Sequence, residues 1–350
     1  MHAVQALDAR SAFNRDIDAD HLVPLWEQLH SLVPRAPAAK VEAALWRYRD
    51  LRPHLMRAGG LLTAAEAIRR VLVMENPAIR GRASVTQSLY AGLQLILPGE
   101  VAPSHRHTQS ALRLVIEGTT AHTVVDGERI AMAPGDFIIT PSWTWHDHGN
   151  REAAEGGEPV VWLDGLDIPL LGFLGAQFAE DHDSDEQPLT QLEGSSLARY
   201  GSALLPVRHR VATPVSPLSH YPYERTREAL ETLLRNGDLD PWDGIKLRYA
   251  NPATGGWAMP SIATCMQLLP AGFRGRTWRS TDATVYSVVE GSGEAIIGGQ
   301  CFAFEAKDTF VVPSWAGLSL HANEDSTLFS FSDRPVHELL GVLRESREAE

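Results

Sequence analysis

Three short segments in the middle of the chain recur, in the same order, near its C-terminal end. The matching pairs are 94–99 (QLILPG) with 267–272 (QLLPAG), 115–118 (VIEG) with 288–291 (VVEG), and 140–143 (TPSW) with 312–315 (VPSW). Self-similarity at a nearly fixed spacing is typical of a duplicated structural unit. At 350 residues the chain is long enough for two such units, each with its own core. The repeat therefore predicts two copies of one domain.

Both copies have the sequence pattern of antiparallel β-structure. From about Val85 the chain consists of short apolar runs separated by Gly and Pro, at 93–97, 114–116, 123–125, 137–140 and 160–163. Such runs indicate a β-sandwich or barrel. We therefore predict a mainly β protein with two antiparallel jelly-roll barrels. Its parts are an N-terminal helical segment at 1–80, a first barrel at 81–180, a linker with a short helix at 181–245, and a second barrel at 246–350.

Outside the barrels the sequence favours helices. Apolar residues recur at spacings of three and four at 22–32, and a second such face begins at 43–48. Thr63 and Glu66 form a capping-box pattern, which predicts a helix that continues through 67–73. A further helix at 224–236 is expected to end at Gly237.

The first barrel contains three histidines in a pattern suited to one metal ion. His105 and His107 are separated by one residue, so on a β-strand they share a face while Arg106 lies on the other. His146 supplies a third imidazole from a distant part of the same domain. With only two cysteines in the chain, no thiolate cluster is available, and any metal must be held by imidazoles.

The second copy lacks these ligands. Trp278 and Ser280 stand where the first copy has its paired histidines, and Leu318 stands in place of the third. His321 lies out of register with the missing ligand. We therefore predict that the second barrel is metal-free and has a structural or oligomerisation role.

The Gly, Pro and His spacing of the first site resembles the cupin superfamily. The usual pattern also supplies a glutamate seven residues before the closing Gly118, and Ala111 occupies that place here. Three neutral ligands would leave Fe(II) its full charge and open positions, a variant of the facial triad without a carboxylate. An ortho-hydroxy aromatic acid would supply the missing anionic, bidentate ligand. O2 would then occupy the remaining coordination position.

Within this superfamily the chain resembles the gentisate 1,2-dioxygenases. The segments that carry the resemblance are 69–72, 90–94, 105–113, 141–150, 162–169, 221–225 and 246–249. The resemblance implies a bicupin that uses Fe(II) and O2 to open gentisate between its carboxyl-bearing C1 and hydroxyl-bearing C2, an extradiol-type cleavage that gives maleylpyruvate. It also implies a homotetramer. Relatives act on salicylate, 5-substituted salicylates and 1-hydroxy-2-naphthoate, which remain alternative substrates.

The resemblance also assigns roles to charged residues of the site. Arg113 falls where the family anchors the substrate carboxylate, and a guanidinium matches a carboxylate bidentately. Arg69 falls at a second substrate contact, unless the register shifts the role to Arg70. His148 lies two residues after the metal ligand His146 and shares its face. It serves either as a catalytic proton carrier or as an orienting imidazole.

Four further residues are implied to line the substrate pocket. Tyr90, Gly92 and Gln94 share one strand parity, and Asp164 matches another pocket position. The salicylate-cleaving relative carries Trp at the position of Tyr90, which favours gentisate as the substrate here.

Each motif also has an ordinary structural interpretation. A lone pair of alternating histidines is more often a surface feature than a metal site, Arg113 could be a buried ion-pair partner, and Tyr90 could be a core aromatic. A different functional class is a non-catalytic metal-binding cupin or sensor, which would hold zinc stably and consume no O2.

Composition excludes several other classes. The formal charge of −13 argues against nucleic-acid binding. No apolar run approaches the roughly 20 residues of a membrane span, and the first residues lack the apolar core of a secretory signal. We therefore expect a cytoplasmic protein that needs no organic cofactor and binds no membrane.

Overall fold

The computed structural model describes residues 2–202, 204–210 and 213–347. The chain divides into two compact units, Met1–Ala38 and Ala39–Glu350. The helices are α1 (His2–Asp18), α2 (Leu25–Leu32), α3 (Tyr48–Leu61), α4 (Ala64–Ala67), α5 (Ile168–Phe173), α6 (Ser195–Tyr200), α7 (Tyr223–Asn236) and α8 (Arg334–Leu339), with short 3-10 helices at Pro77–Ile79 and Ala153–Glu155. None of the described helices is long and apolar enough to cross a membrane.

The strands are β1 (Ala44–Trp46), β2 (Val71–Val73), β3 (Tyr90–Ile96), β4 (Val101–His107), β5 (Ala111–Glu117), β6 (Ala121–Val125), β7 (Glu128–Ala131), β8 (Phe137–Thr140), β9 (His146–Asn150), β10 (Val160–Leu166), β11 (Ala179–Asp181), β12 (His220–Tyr221), β13 (Ile245–Arg248), β14 (Ala263–Leu269), β15 (Trp278–Ser280), β16 (Thr284–Glu290), β17 (Ser292–Ile297), β18 (Gln300–Glu305), β19 (Thr309–Val312), β20 (Leu318–Ala322), β21 (Ser326–Ser332) and β22 (Glu345–Arg347).

The smaller unit contains α1 and α2. The rings of Phe13 and Trp26 stack with their centroids 6.3 Å apart, and Arg10 forms an ion pair with Glu27 at 2.7 Å. These contacts join one helix to the other.

The larger unit contains two barrels, each built from two antiparallel sheets. The sheets of the first barrel have the strand orders β12-β8-β5-β10-β3-β2 and β11-β4-β9-β6-β7. Those of the second are β1-β19-β16-β21-β14-β13 and β18-β17-β20-β15-β22. The predicted duplication and mainly β fold are thus confirmed.

The strand registers of the two barrels correspond residue by residue. In the first barrel Asp164 lies opposite both Gly92 and Arg113. In the second, Ser330 lies opposite both Cys265 and Tyr286. The larger core cluster packs alternate residues of β3, β5 and β10 together with alternate residues of β14 and β21. Because side chains alternate along a strand, the other residues of these strands face the barrel interiors.

One turn is repeated in both copies. Trp143 and Trp315 both adopt a left-handed backbone, with φ of 62° and 64°. The Trp143 amide donates to the His107 carbonyl at 2.7 Å, and the Trp315 amide donates to the Ser280 carbonyl at 2.6 Å. The turn therefore fastens the same strand in both barrels.

Two sequence expectations for the N-terminal part were wrong. The capping box forms, with Thr63 and Glu66 each bonded to the other's amide, but α4 ends at Ala67. The expected continuation contains Val71–Val73, which is β2 and pairs with β3. Similarly, the expected helical face at 43–48 begins with β1, which pairs with β19. Edge pairing with a barrel sheet overrides local helix propensity at both places.

The helix at 224–236 is confirmed as α7, and Gly237 caps it in a left-handed conformation with φ of 88°. The four-part domain division stays a prediction. Three strands from outside the predicted barrels nevertheless complete the barrel sheets, because β1 joins the second barrel while β2 and β12 join the first.

Candidate metal and substrate site

The three predicted ligands meet inside the first barrel. His105 lies directly opposite His146 on the paired strands β4 and β9, and His107 lies two residues further along β4. A candidate ligand atom from each of the three rings lies within 4.8 Å of the others. Among the described residues, no other cluster of three or more His, Cys, Asp or Glu side chains has this geometry.

Backbone carbonyls orient these imidazoles. The Nδ1 atom of His107 lies 2.9 Å from the Gln109 carbonyl oxygen, and that of His146 lies 3.0 Å from the Thr144 carbonyl oxygen. A donor hydrogen bond from Nδ1 to a carbonyl leaves Nε2 unprotonated and free to bind a metal.

The surroundings keep the three rings neutral. Burial is the main cause in each case; it lowers the pKa of His105 to about 2 and of His107 to about 4, and it brings the pKa of His146 well below its usual range. The positive charges of Arg69 and Arg113 lower all three pKa values further. Neutral imidazoles are the protonation state that a metal requires, so the donor set fits a borderline divalent cation such as Fe(II).

Of the two neighbouring arginines, Arg69 lies at the triad. Its guanidinium contacts the His105 ring and donates to the Pro103 carbonyl at 2.8 Å. Arg70 instead is held by Glu100 through a paired salt bridge and donates to the Leu62 carbonyl at 2.7 Å. The carboxylate of Glu100 therefore holds the Arg70 guanidinium in an ion pair, while Arg69 faces the site.

Arg113 and Asp164 form a buried pair beside the triad. Both side chains are less than 10% exposed, and Arg113 Nε lies 3.5 Å from Asp164 Oδ1. Arg113 also donates to the Thr140 hydroxyl, while Trp162 Nε1 donates to Asp164 Oδ1 at 3.0 Å. Burial raises the pKa of Asp164 to about 6, although Arg113 opposes this shift. Arg113 Nε makes no hydrogen bond among the described residues, so the guanidinium keeps a donor for an anion.

His148 is fully buried and carries two unused nitrogens. Its ring centroid lies 6.0 Å from that of His146 and 5.0 Å from that of Trp162. Neither ring nitrogen has a hydrogen-bond partner among the described residues. Burial and the nearby Arg113 hold its pKa well below the usual range. The ring is thus neutral, with one donor and one acceptor facing the site, rather than committed to a structural bond.

The three predicted pocket residues on β3 share the inward face. Their neighbours on the other face, such as Leu93, pack in the core. The Tyr90 hydroxyl lies beside Gly92, where an added Cβ would sit 2.9 Å from Tyr90 Oη and 2.5 Å from Val71 Cγ1. Gln94 is buried opposite Trp162. Glycine is therefore needed at position 92 to let Tyr90 and β2 approach.

Two features around the site were not anticipated from the sequence. The guanidinium of Arg106 lies over two tryptophan rings, 4.5 Å from the centroid of Trp143 and 4.6 Å from that of Trp145, and it pairs with Glu180. The outward direction of Arg106 was predicted from strand parity, whereas its stacking partners depend on the turn before β9. The stack covers the outer face of β4, the strand that carries His105 and His107.

The second unanticipated feature is buried Asp167. One carboxylate oxygen accepts from the Ser110 amide at 3.0 Å, and the other accepts from the Ser261 hydroxyl at 2.5 Å. Ser110 follows Gln109, whose carbonyl holds His107. A hydrogen-bonded path thus leads from Ser261, just before the second barrel's β14, to a metal ligand of the first.

The corresponding positions of the second barrel form no metal site. Trp278 and Ser280 lie on β15, and Leu318 lies on β20. The Ser280 hydroxyl donates to the buried Asp282, while His321 is near Glu294 on the neighbouring strand.

Comparison with known proteins gives consistent results. A family model described as "Cupin domain" matches residues 92–166. The chain is 50% identical over 338 residues to gentisate 1,2-dioxygenase 1 of Aquipseudomonas alcaligenes, covering 97% of this chain and 96% of the relative. It is 34% identical to the 5-aminosalicylate 1,2-dioxygenase of a Comamonas species, with 98% and 93% covered.

A solved structure also matches along the whole chain. The salicylate 1,2-dioxygenase of Pseudoaminobacter salicylatoxidans, determined as an adduct with gentisate, superposes with a TM-score of 0.91 at 33% identity, covering 98% of this chain and 94% of that one. Full-length identity at this level, on a bicupin with an intact triad in its first barrel, places the chain in the gentisate 1,2-dioxygenase family of ring-cleaving dioxygenases.

Proposed function

We propose that the protein is an Fe(II)-dependent enzyme that opens gentisate between C1 and C2 to give maleylpyruvate. The observation that carries this proposal is the neutral three-histidine cluster with the buried cation Arg113 beside it. Such a site lacks an anionic ligand, and an ortho-hydroxy aromatic acid provides one. The 50% identity to a gentisate 1,2-dioxygenase supports gentisate within this class.

In this proposal His105, His107 and His146 hold the iron. When bound, Fe(II) supplies a Lewis-acidic, redox-active centre at which the aromatic acid and O2 can react. The protein's own contribution is to keep the three imidazoles neutral, to orient them through carbonyl groups, and to leave the remaining coordination positions open.

The arginines bind and orient the substrate. Arg113 receives the carboxylate, because it is buried and positively charged and its Nε has no hydrogen-bond partner among the described residues. A charge-assisted, bidentate contact fixes the plane of the carboxylate as well as its position. Arg69 contacts the His105 ring and gives a second positive charge to the anionic substrate.

His148 handles a proton at the ring oxygens. Its neutral imidazole has one N–H donor and one free acceptor, and neither is used by the described residues. It can accept the phenol proton as the substrate binds and return it to an oxygen of the product. Trp162, packed at 5.0 Å, limits the movement of the ring.

Tyr90 and Gly92 favour a hydroxylated ring. The Tyr90 hydroxyl is next to the Gly92 backbone, where it can hydrogen-bond the second hydroxyl of gentisate. Salicylate, 5-substituted salicylates and 1-hydroxy-2-naphthoate remain alternative substrates for the same chemistry, in keeping with the names of the relatives.

The direct test is anaerobic reconstitution with Fe(II), followed by oxygen uptake with gentisate, salicylate, 5-aminosalicylate and 1-hydroxy-2-naphthoate. We expect the highest kcat/KM with gentisate. Absence of turnover with all four acids, together with stable zinc binding, would instead support a non-catalytic metal-binding protein.

A companion variant tests the ligand assignment. His146→Ala should lose both iron and activity, whereas His122→Ala, at a histidine that contacts Arg129 away from the triad, should retain both. Full iron occupancy in His146→Ala would contradict the assignment. A homotetrameric, cytoplasmic enzyme is part of the same proposal, and light scattering tests its subunit number.

A further inference from the structure

The second barrel contains a polar cavity although it has no metal ligands. Its volume is about 600 Å³, within the usual range of small-molecule pockets. Its lining includes Lys246, Cys265, Trp278, Asp282, Thr284 and Arg334. A smaller inner cavity shares Trp278, Asp282 and Thr284 with it and extends to Tyr286.

This cavity corresponds to the substrate side of the first barrel. Cys265 and Tyr286 lie opposite Ser330, just as Gly92 and Arg113 lie opposite Asp164. The alternate residues of β14 and β16, such as Met266 and Val285, pack in the shared core, so Cys265 and Tyr286 face inward. The second barrel therefore has a pocket at the place that corresponds to the substrate side of the first, but different side chains line it.

Two polar side chains are available to a ligand, Lys246 in the larger cavity and Tyr286 in the smaller one. Tyr286 is fully buried, yet its hydroxyl has no hydrogen-bond partner among the described residues. A buried polar group left unpaired costs about 1–3 kcal/mol. Lys246 Nζ pairs with Asp243 at 3.0 Å and lies 5.3 Å from the centroid of the Trp278 ring. An ammonium group has three N–H donors, so this ion pair does not exhaust its capacity.

The charges of the interior are mixed. Lys246 and Arg334 are the cations, and Asp243 and Asp282 are the carboxylates. At the rim, Arg347 pairs with Asp240 and Asp243, and Arg334 pairs with Glu338 and Glu345. A simple anion would be repelled by the two interior carboxylates, and a simple cation would be repelled by Lys246. A molecule that carries both a carboxylate and a hydrogen-bond donor matches both kinds of group.

We propose that this cavity is a second ligand site, which binds a small aromatic acid bearing a hydroxyl or amino group. The carboxylate contacts Lys246 and the Tyr286 hydroxyl, the ring lies against Trp278, and the donor group reaches Asp282. No metal is involved, and no reaction takes place there. The proposal rests on the second barrel alone and is independent of ring cleavage in the first.

The experiment is calorimetric titration of the metal-free, full-length protein with 5-aminosalicylate, gentisate and benzoate. Benzoate has the ring and carboxylate but no donor, so it should bind at least 10-fold more weakly than the other two. Lys246→Met should weaken binding of 5-aminosalicylate at least 10-fold, and Tyr286→Phe, which removes a single hydroxyl, about 3-fold or more.

Two controls separate this site from the first barrel. Lys307→Met removes another lysine of the second barrel that does not line the cavity, and it should leave binding unchanged. Arg113→Met, which removes the proposed carboxylate anchor of the first barrel, should also leave binding at the second barrel unchanged. Circular dichroism and thermal unfolding verify the fold of each variant. The proposal is overturned if no binding occurs, or if Lys246→Met and Tyr286→Phe both bind 5-aminosalicylate as tightly as the wild type.

Discussion

Asp167 connects the two barrels near His107, a proposed metal ligand of the first. Its carboxylate accepts a buried hydrogen bond from the Ser110 amide and a partly buried one from the Ser261 hydroxyl. Asp167→Ala removes both acceptors at once. The change is therefore expected to reduce global stability and also to loosen the loop whose Gln109 carbonyl orients His107.

The size of the effect follows from the two bonds. A hydrogen bond to a charged group contributes about 1.5–3 kcal/mol. Losing both predicts that the free energy of unfolding of Asp167→Ala falls by roughly 3–6 kcal/mol. Ser261→Ala, which removes one bond, should cost about half as much. Loss of an outer partner of a ligand typically lowers metal affinity about 10–100-fold, and we expect this for Asp167→Ala.

Urea unfolding of the metal-free protein measures the stability, and titration with Co(II), followed by visible absorption, measures the metal affinity. Asp167→Asn is the matched control, because its amide can still accept from the Ser110 amide and donate to the Ser261 hydroxyl. It should stay near the wild type in both assays. Equal losses in Asp167→Asn and Asp167→Ala, or an unchanged Co(II) affinity in Asp167→Ala, would refute the reasoning.

Three other predictions concern the first barrel. Arg113→Met should lower kcat/KM for gentisate at least 100-fold, because it removes the proposed carboxylate anchor. Arg106→Met, on the outer face of β4, should lower it less than 10-fold; steady-state oxygen uptake compares the two variants. Tyr90→Trp should raise the salicylate-to-gentisate ratio of kcat/KM, and an unchanged ratio would remove Tyr90 as a determinant. In the metal-free protein, the raised pKa of Asp164, about 6 against an unfolded value of about 3.9, means that the folded state holds the proton more tightly. The buried histidines, whose pKa values are lowered, change stability in the opposite direction, so the Asp164 contribution is measured as a difference. The stability of the wild type relative to Asp164→Asn should fall by up to roughly 3 kcal/mol as pH rises from about 4 to 6 in urea unfolding.

Much of the site could be predicted because its signals are local. Strand parity places His105 and His107 on one face and Arg106 on the other, and the structure has this arrangement. The internal repeat likewise predicted two barrels, and the structure extends the match to the strand registers. These features depend on alternation within one strand, which a sequence displays directly.

The features that were missed depend on pairing between distant segments. Val71–Val73 carries an apolar pattern that suits either a helix or a strand, and only the free edge of β3 decides between them. The choice of Arg69 over Arg70 required the position of Glu100, which holds the second arginine. The role of Asp167 was not predicted from the sequence, because its hydrogen-bond donors are 57 and 94 residues away.

The repeated left-handed turn has a consequence for engineering. Backbone strain at a non-glycine residue of this kind costs about 1–3 kcal/mol, and the second barrel still bears it at Trp315 after its ligand positions have changed to Trp278, Ser280 and Leu318. The turn is therefore a feature of the barrel fold and does not depend on the metal-ligating residues. A second metal centre could be installed by three substitutions to histidine on an existing scaffold, and its ion could be chosen without altering the first.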